Sequence, residues 1–266
     1  MFFFTLLQRQ KKYLLVVFLL TFLGQLFLTS DITQAADPPP PFQPGEKFTY
    51  KAKWGRIAAG DVTIEVLPWE TVNGVKAYHF VMVTKTNSVV DLAYKIRERQ
   101  DSYVTADLAH SILYKKRTEG KYPRDVIVNF DWDKREATRS NFGEKMAPIT
   151  IVPGTFDPLA LFFVIRLQNL KENSMFEIPI TDGDSNILVQ ATVTKREKIQ
   201  LYGKTYDAFE VIPNMERLIS DKVVKKSDNP ELKIWFSADD KKIPVKIRSK
   251  ARVGYFDFDL VSVAPP

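Results

Sequence analysis

Cysteine is absent from the 266 residues. That excludes disulfides, thiolate metal sites and a lipid-modified N-terminal cysteine, so the core alone must stabilise the fold. Histidine is nearly absent too, with only His79 and His110. They supply no pair on one element with metal-ligand spacing, and a Ser-His-Asp hydrolase would have to use one of them. No Gly-x-Ser-x-Gly elbow, Walker loop, dinucleotide fingerprint or zinc spacing occurs. Dense basic stripes are also missing. Lysines and arginines stand singly or in short groups such as Lys115-Lys116-Arg117, Lys195-Arg196 and Lys225-Lys226. Such groups read as solvated strand faces and charge-protected sheet edges, not as a nucleic-acid surface.

Long apolar runs are lacking except at the start. Arg9, Lys11 and Lys12 precede Tyr13 to Leu28, a stretch broken only by Thr21, Gly24 and Gln25, and Thr33-Gln34-Ala35 follows. Positive start, apolar centre and small-residue exit make a secretory signal over residues 1–35, cleaved after Ala35. An uncleaved anchor is the alternative, although the run falls short of the about 20 residues of a span. The expected compartment is the periplasm. Cleavage removes Arg9, Lys11, Lys12 and Asp31, which leaves a net charge of +4 from the original +6. So mild an excess permits peripheral contact with anionic lipid but does not by itself require it.

Pro38 to Pro41 and Pro44 lie in residues 36–44, where consecutive prolines favour a stiff, extended spacer. From Gly45 to residue 266 no linker divides the chain, which reads as one domain. Period-two alternation dominates it. Phe48, Tyr50, Ala52 and Trp54 share one face, and Val62, Ile64 and Val66 alternate with Asp61, Thr63 and Glu65. Tyr78, Phe80 and Met82 oppose Ala77, Val81 and Val83, the pattern of a strand covered on both sides. Further strands are expected over 94–104, 111–117, 125–132, 136–140, 147–152, 175–181, 187–198, 206–213, 231–237, 243–251 and 255–263. Turn pairs such as Asn73-Gly74 and Tyr202-Gly203 separate many of them.

One long helical pattern interrupts the strands, Asp157 to Lys171. Asp157 can cap the free amides, Pro158 suits the first turn, and Lys171 places positive charge at the end. Nearly every side of its first turns is apolar, which predicts burial against a curved sheet. The fold class is therefore mainly β: a large curved antiparallel sheet forming an open or spiral β-barrel with one buried α-helix at about 157–171.

Asp182-Gly183-Asp184-Ser185-Asn186 begins like a calcium loop but lacks the later glycine and terminal glutamate, and a β-turn accounts for it. Asp131, Asp133, Asp239 and Asp240 read as solvated turns rather than an acid/base pair. Neither a metal nor a cofactor is expected. What accumulates is aromatic surface, more than one face of a thin sheet needs. A sheet curled round a cavity could use it to hold an acyl chain, with the helix as plug or lid. Trp54, Phe80, Phe162, Phe163 and Trp235 are the expected ligand contacts. Arg166, the single charge amid the apolar turns, either meets an anionic head group or pairs with a carboxylate.

Four patterns in order resemble the bacterial envelope family called domain of unknown function 3108. They are Gly45-Glu46-Lys47-Phe48-Thr49-Tyr50 with Trp54-Gly55 and Ala59-Gly60; Tyr94-Lys95-Ile96-Arg97-Glu98-Arg99 with Asp101; Asp157-Pro158-Leu159 through Phe162, Phe163 and Arg166; and Trp235 to Ser237 with Ile243-Pro244-Val245. Ala160 stands where such helices often carry serine. The resemblance implies an exported, non-enzymatic β protein, similar in shape to the open β-barrels of periplasmic lipoprotein carriers. It implies no catalytic residues.

The expected function is binding of a lipid, an acyl group (free or on a lipoprotein) or an envelope protein in support of envelope integrity. A packed scaffold that binds proteins along a sheet edge is the second reading, and a hydrolase using His79 or His110 the third.

Overall fold

The computed structural model describes residues 39–120, 122–219, 222–226, 231–250 and 254–266. The expected signal and most of the spacer lie outside the described residues. The elements run β1 (Lys47–Trp54), β2 (Ile57–Val72), β3 (Val75–Thr86), α1 (Ser88–Tyr94), β4 (Ile96–Thr105), β5 (Ser111–Gly120), β6 (Arg124–Asp131), β7 (Glu136–Asn141), β8 (Glu144–Lys145) and β9 (Ile149–Thr150). Then come α2 (Leu161–Leu167), β10 (Met175–Thr181), β11 (Asn186–Leu201), β12 (Lys204–Ile219), β13 (Lys222–Lys226), β14 (Leu232–Ser237), β15 (Pro244–Lys250) and β16 (Tyr255–Ala264).

All the strands join one antiparallel sheet in the order β10-β11-β12-β14-β15-β16-β1-β2-β3-β4-β5-β6-β7-β8, with β13 beside β12 and β9 beside β7. Among the described residues no ladder joins β8 to β10, so the sheet is not closed into a barrel. The chain between them spans the gap in another way. Ile149 pairs with Ala137 on β7, and Phe156 bridges to Ile180 on β10. Asn186 donates to the Thr150 carbonyl at 2.6 Å, and Arg139 lies 3.3 Å from Asp182. Gly183 (φ +81°) allows this approach, since a Cβ there would lie 2.8 Å from the Cβ of Arg139.

Because β1 to β8 form a meander, their turns alternate between two ends of the sheet. The β1–β2, β3–β4, β5–β6 and β7–β8 turns share one end, and the start of β16 joins them through the Trp54–Phe256 pair. The β2–β3, β4–β5 and β6–β7 turns share the other, where α2 is seated.

The helix is shorter than the expected 157–171. Pro158 to Ala160 form turns, and the chain turns extended at Gln168 so that Leu170 can enter the core. A second short helix, α1, was not expected. The 147–152 strand shrinks to Ile149–Thr150, while the strand expected at 206–213 extends over the whole of β12. Within the segment read as a spacer, Phe42 is a core residue.

Candidate functional site

At the closed end, polar anchors hold α2 against the concave face. The carboxylate of Asp157 is fully buried. Its Oδ1 accepts from the amides of Leu159 (2.9 Å) and Ala160 (3.0 Å), and its Oδ2 from the hydroxyls of Ser102 and Ser111, both at 2.6 Å. Ser102 lies in the concave row Phe80–Ser102–Tyr114–Val128, so the turn that leads into α2 is tied directly into the sheet. Burial pushes the Asp157 carboxyl above its ordinary value, against the four hydrogen bonds that favour its charge.

The ring of Phe163 stacks on Phe80, with centroids 3.7 Å apart, and Phe42 meets both edge-on. One turn on, Arg166 is 1% exposed. Its Nη1 donates to Glu46 Oε2 at 2.7 Å, and its Nη2 to Glu46 Oε1 at 3.0 Å and to the Pro41 carbonyl at 2.8 Å. Its Nε donates to the Lys241 carbonyl at 3.0 Å. The rings of Phe42 and Phe48 lie within cation–π distance of the guanidinium. Arg166 is thus a buried fork–fork pair, and its donors are directed at the protein rather than at a head group.

Toward the other end the concave face opens. Along β1 exposure rises from 1% at Phe48 and 0% at Tyr50 through 7% at Ala52 to 44% at Trp54. Along β16 it rises from 1% at Leu260 to 36% at Phe256, with Phe258 half-buried between. Trp54 and Phe256 stack with centroids 6.4 Å apart. Across the sheet the same level is polar. Tyr114 donates to Gln100 at 2.8 Å, and Gln100 donates to Glu98 at 2.6 Å. Thr118 donates to Glu98 at 2.9 Å, and Lys116 sits 3.2 Å from it. A cleft of about 410 Å³ lies over this network, lined also by Tyr94, Tyr122 and Arg124. An apolar wall faces a hydrogen-bonding wall.

The six residues expected to contact a ligand do not form one site. Phe80, Phe163 and Arg166 come together but are covered by the protein. Phe162 is half-buried and packs against the same core. Trp54 alone lies at the open end. Trp235 is on the convex face, in a row with Glu210, Lys246 and Asp259, whereas its neighbours Ile234 and Phe236 are fully buried. Its indole donates to Glu197 at 2.8 Å, which holds that carboxyl below its ordinary range. Phe42, Glu46 and the Glu98 network were missed as partners. Phe42 and Glu46 meet their contacts across long sequence separations, and Glu46 pairs with a residue 120 positions away.

The histidines are engaged elsewhere. His79, on the convex face, has Nδ1 2.7 Å from Glu70 and Nε2 2.8 Å from Asp101. His110 rests on Trp132, with ring centroids 4.1 Å apart, and burial lowers it from its ordinary value. Asp182 uses its Oδ1 to accept from the amides of Asp184 and Ser185, the bonding of an Asx turn.

The architecture defines a class: a large open antiparallel sheet curved round one short helix. Within it, the chain belongs to the family described as protein of unknown function DUF3108, which matches residues 49–261. No curated protein matches it. A solved structure from Brucella abortus, described as a β-barrel-like protein of domain of unknown function DUF1849, is similar in fold. Its TM-score is 0.54 at 10% identity, covering 83% of this chain and 97% of that one. A second, from Parabacteroides distasonis and described as "a putative lipoprotein", has a TM-score of 0.37 at 12% identity, covering 85% and 97%.

Proposed function

We propose that this is an exported, non-catalytic envelope protein that holds the apolar part of a lipid or acylated molecule at the open end of its concave face. The observation that carries the reading is the exposure gradient from Tyr50 to Trp54 and from Leu260 to Phe256. Apolar surface that the helix leaves uncovered continues a face that is fully buried below it. Large exposed apolar surface of this kind marks a binding site more often than a plain surface. The polar wall of Gln100, Glu98 and Lys116 offers donors and acceptors to the end of such a ligand that stays wet. Both ring nitrogens of His79 already meet carboxylates, which argues against that histidine as the base of a hydrolase.

The test is native mass spectrometry of the protein purified from its own envelope. A co-purifying lipid or acylated species, lost on replacing Trp54 and Phe256 by glutamate, is the expected result. A mass equal to that of the bare chain, under conditions that retain lipid on a known carrier, contradicts the proposal.

A further inference from the structure

The exposed large apolar side chains are not scattered. Fourteen stand out among the described residues, and eight of them sit at the end of the sheet shared by the β1–β2, β3–β4, β5–β6 and β7–β8 turns. Trp54 and Phe256 form the inner part of this rim. Its outer part is Ile57 (53% exposed), Val89 (66%), Leu92 (90%) and, on the next turns, Tyr122 and Phe142 (both 61%). Helix α1 is fixed there, since Asn87 caps it through the Val90 amide and donates to the Ala58 carbonyl. Leu92 is therefore presented on an anchored turn.

The charge at the same end is positive. Arg56, Lys95 and Arg124 are exposed and make no salt bridge among the described residues, whereas the rim acids Asp91 and Glu119 are paired with Arg97 and Arg117. Among the described residues the remaining exposed acids there are Asp125, Glu144 and Glu231, the last paired with Lys233. The opposite end mixes Asp107, Asp133, Asp239 and Asp240 with Lys134, Arg135 and Lys241 on its turns, and it shows fewer exposed apolar side chains, Trp69, Val75 and Val263 among them.

We propose that this rim docks on an anionic lipid bilayer, with Leu92, Val89 and Ile57 entering the interface and Arg56, Lys95 and Arg124 facing the head groups. Apolar and aromatic tips ringed by unpaired cations are the chemistry of an interfacial lipid contact. Charge complementarity selects a lipid surface over an apolar protein groove, because each cation near an anionic leaflet adds to partitioning. The inference does not depend on an occupied concave face: the rim can dock whether or not Trp54 and Phe256 hold a ligand.

Because the natural chain has no cysteine, the test can use single cysteines in the full chain. Leu92→Cys and Asp133→Cys are each labelled with a polarity-sensitive fluorophore and mixed with vesicles of phosphatidylcholine, with or without phosphatidylglycerol. A local label reports its own depth, so binding through the N-terminal apolar run does not imitate the result. The Leu92 label is expected to shift to the blue on the anionic vesicles while the Asp133 label does not. Salt should reduce the shift, and Arg56→Gln and Arg124→Gln should each weaken partitioning roughly fivefold. A silent Leu92 label, an equal shift at Asp133, or equal shifts on neutral and anionic vesicles overturns the proposal. A Leu92 label silent on vesicles but shielded by an envelope protein overturns it in favour of a protein partner.

Discussion

Glu46 and Arg166 face each other as a bidentate pair with bonds of 2.7 and 3.0 Å, inside a core where Arg166 is 1% exposed. The pair joins the residue just before β1 to the last turn of α2, and so ties the start of the sheet to the helix that it wraps. Removing one partner strands a charge that the Coulombic attraction had balanced. Glu46→Ala is expected to cost about 3–5 kcal/mol in urea unfolding. Glu46→Leu combined with Arg166→Met should recover most of that loss, because an apolar pair of similar volume avoids the desolvation.

Asp157 holds the turn that leads into α2 and is the clearest source of pH dependence. Burial raises its carboxyl, so protonation favours the native state. That stabilisation is complete below the ordinary aspartate value of about 3.9 and is lost as pH rises through the native value. Unfolding curves of wild type and Asp157→Asn should therefore diverge, with the wild type losing ground as pH rises. Asp157→Ala, which leaves two serine hydroxyls and two turn amides without their acceptor, should cost about 1–3 kcal/mol at low pH, and the cost should shrink as pH rises.

Phe42 tests whether the end of the proline-rich segment belongs to the fold. Its ring meets Tyr78, Phe80 and Phe163. Phe42→Ala should lower stability by about 3–5 kcal/mol, as for a large core side chain. A true spacer residue would show no measurable change.

Much of the sheet was legible because its signal is local. The alternation of Phe48, Tyr50, Ala52 and Trp54 anticipates the observed gradient face, whereas Asp157 bonds two amides of the turn that leads into α2 and the helix itself starts at Leu161 without a side-chain cap. Helix length was not legible, because the exit at Gln168 is set by burying Leu170 and by the carbonyls that Lys241 and Gln168 present to neighbouring side chains. Helix α1 was hidden for the opposite reason. Val89-Val90 favours a strand by propensity, and Leu92 points to solvent instead of marking a core stripe. Trp235 was assigned to the interior because β14 is buried on both faces, and only the pairing with Glu210 and Lys246 reveals which face it occupies.

On the convex face, the Trp235 indole is the main support of the lowered Glu197 carboxyl. Trp235→Phe keeps the ring but removes the donor. The Glu197 carboxyl, followed by carbon NMR, should then titrate closer to the ordinary glutamate value. An unchanged titration would show that Lys195 and Lys233 set it without the indole.

Four tryptophans, Trp54, Trp69, Trp132 and Trp235, make the ligand proposal directly readable. Only Trp54 stands at the open end of the concave face. A brominated fatty acid titrated into the protein should quench tryptophan emission saturably, and Trp54→Phe should abolish that quenching while leaving the fold intact. No saturable quenching, or the same quenching without Trp54, would contradict a ligand site at the open end.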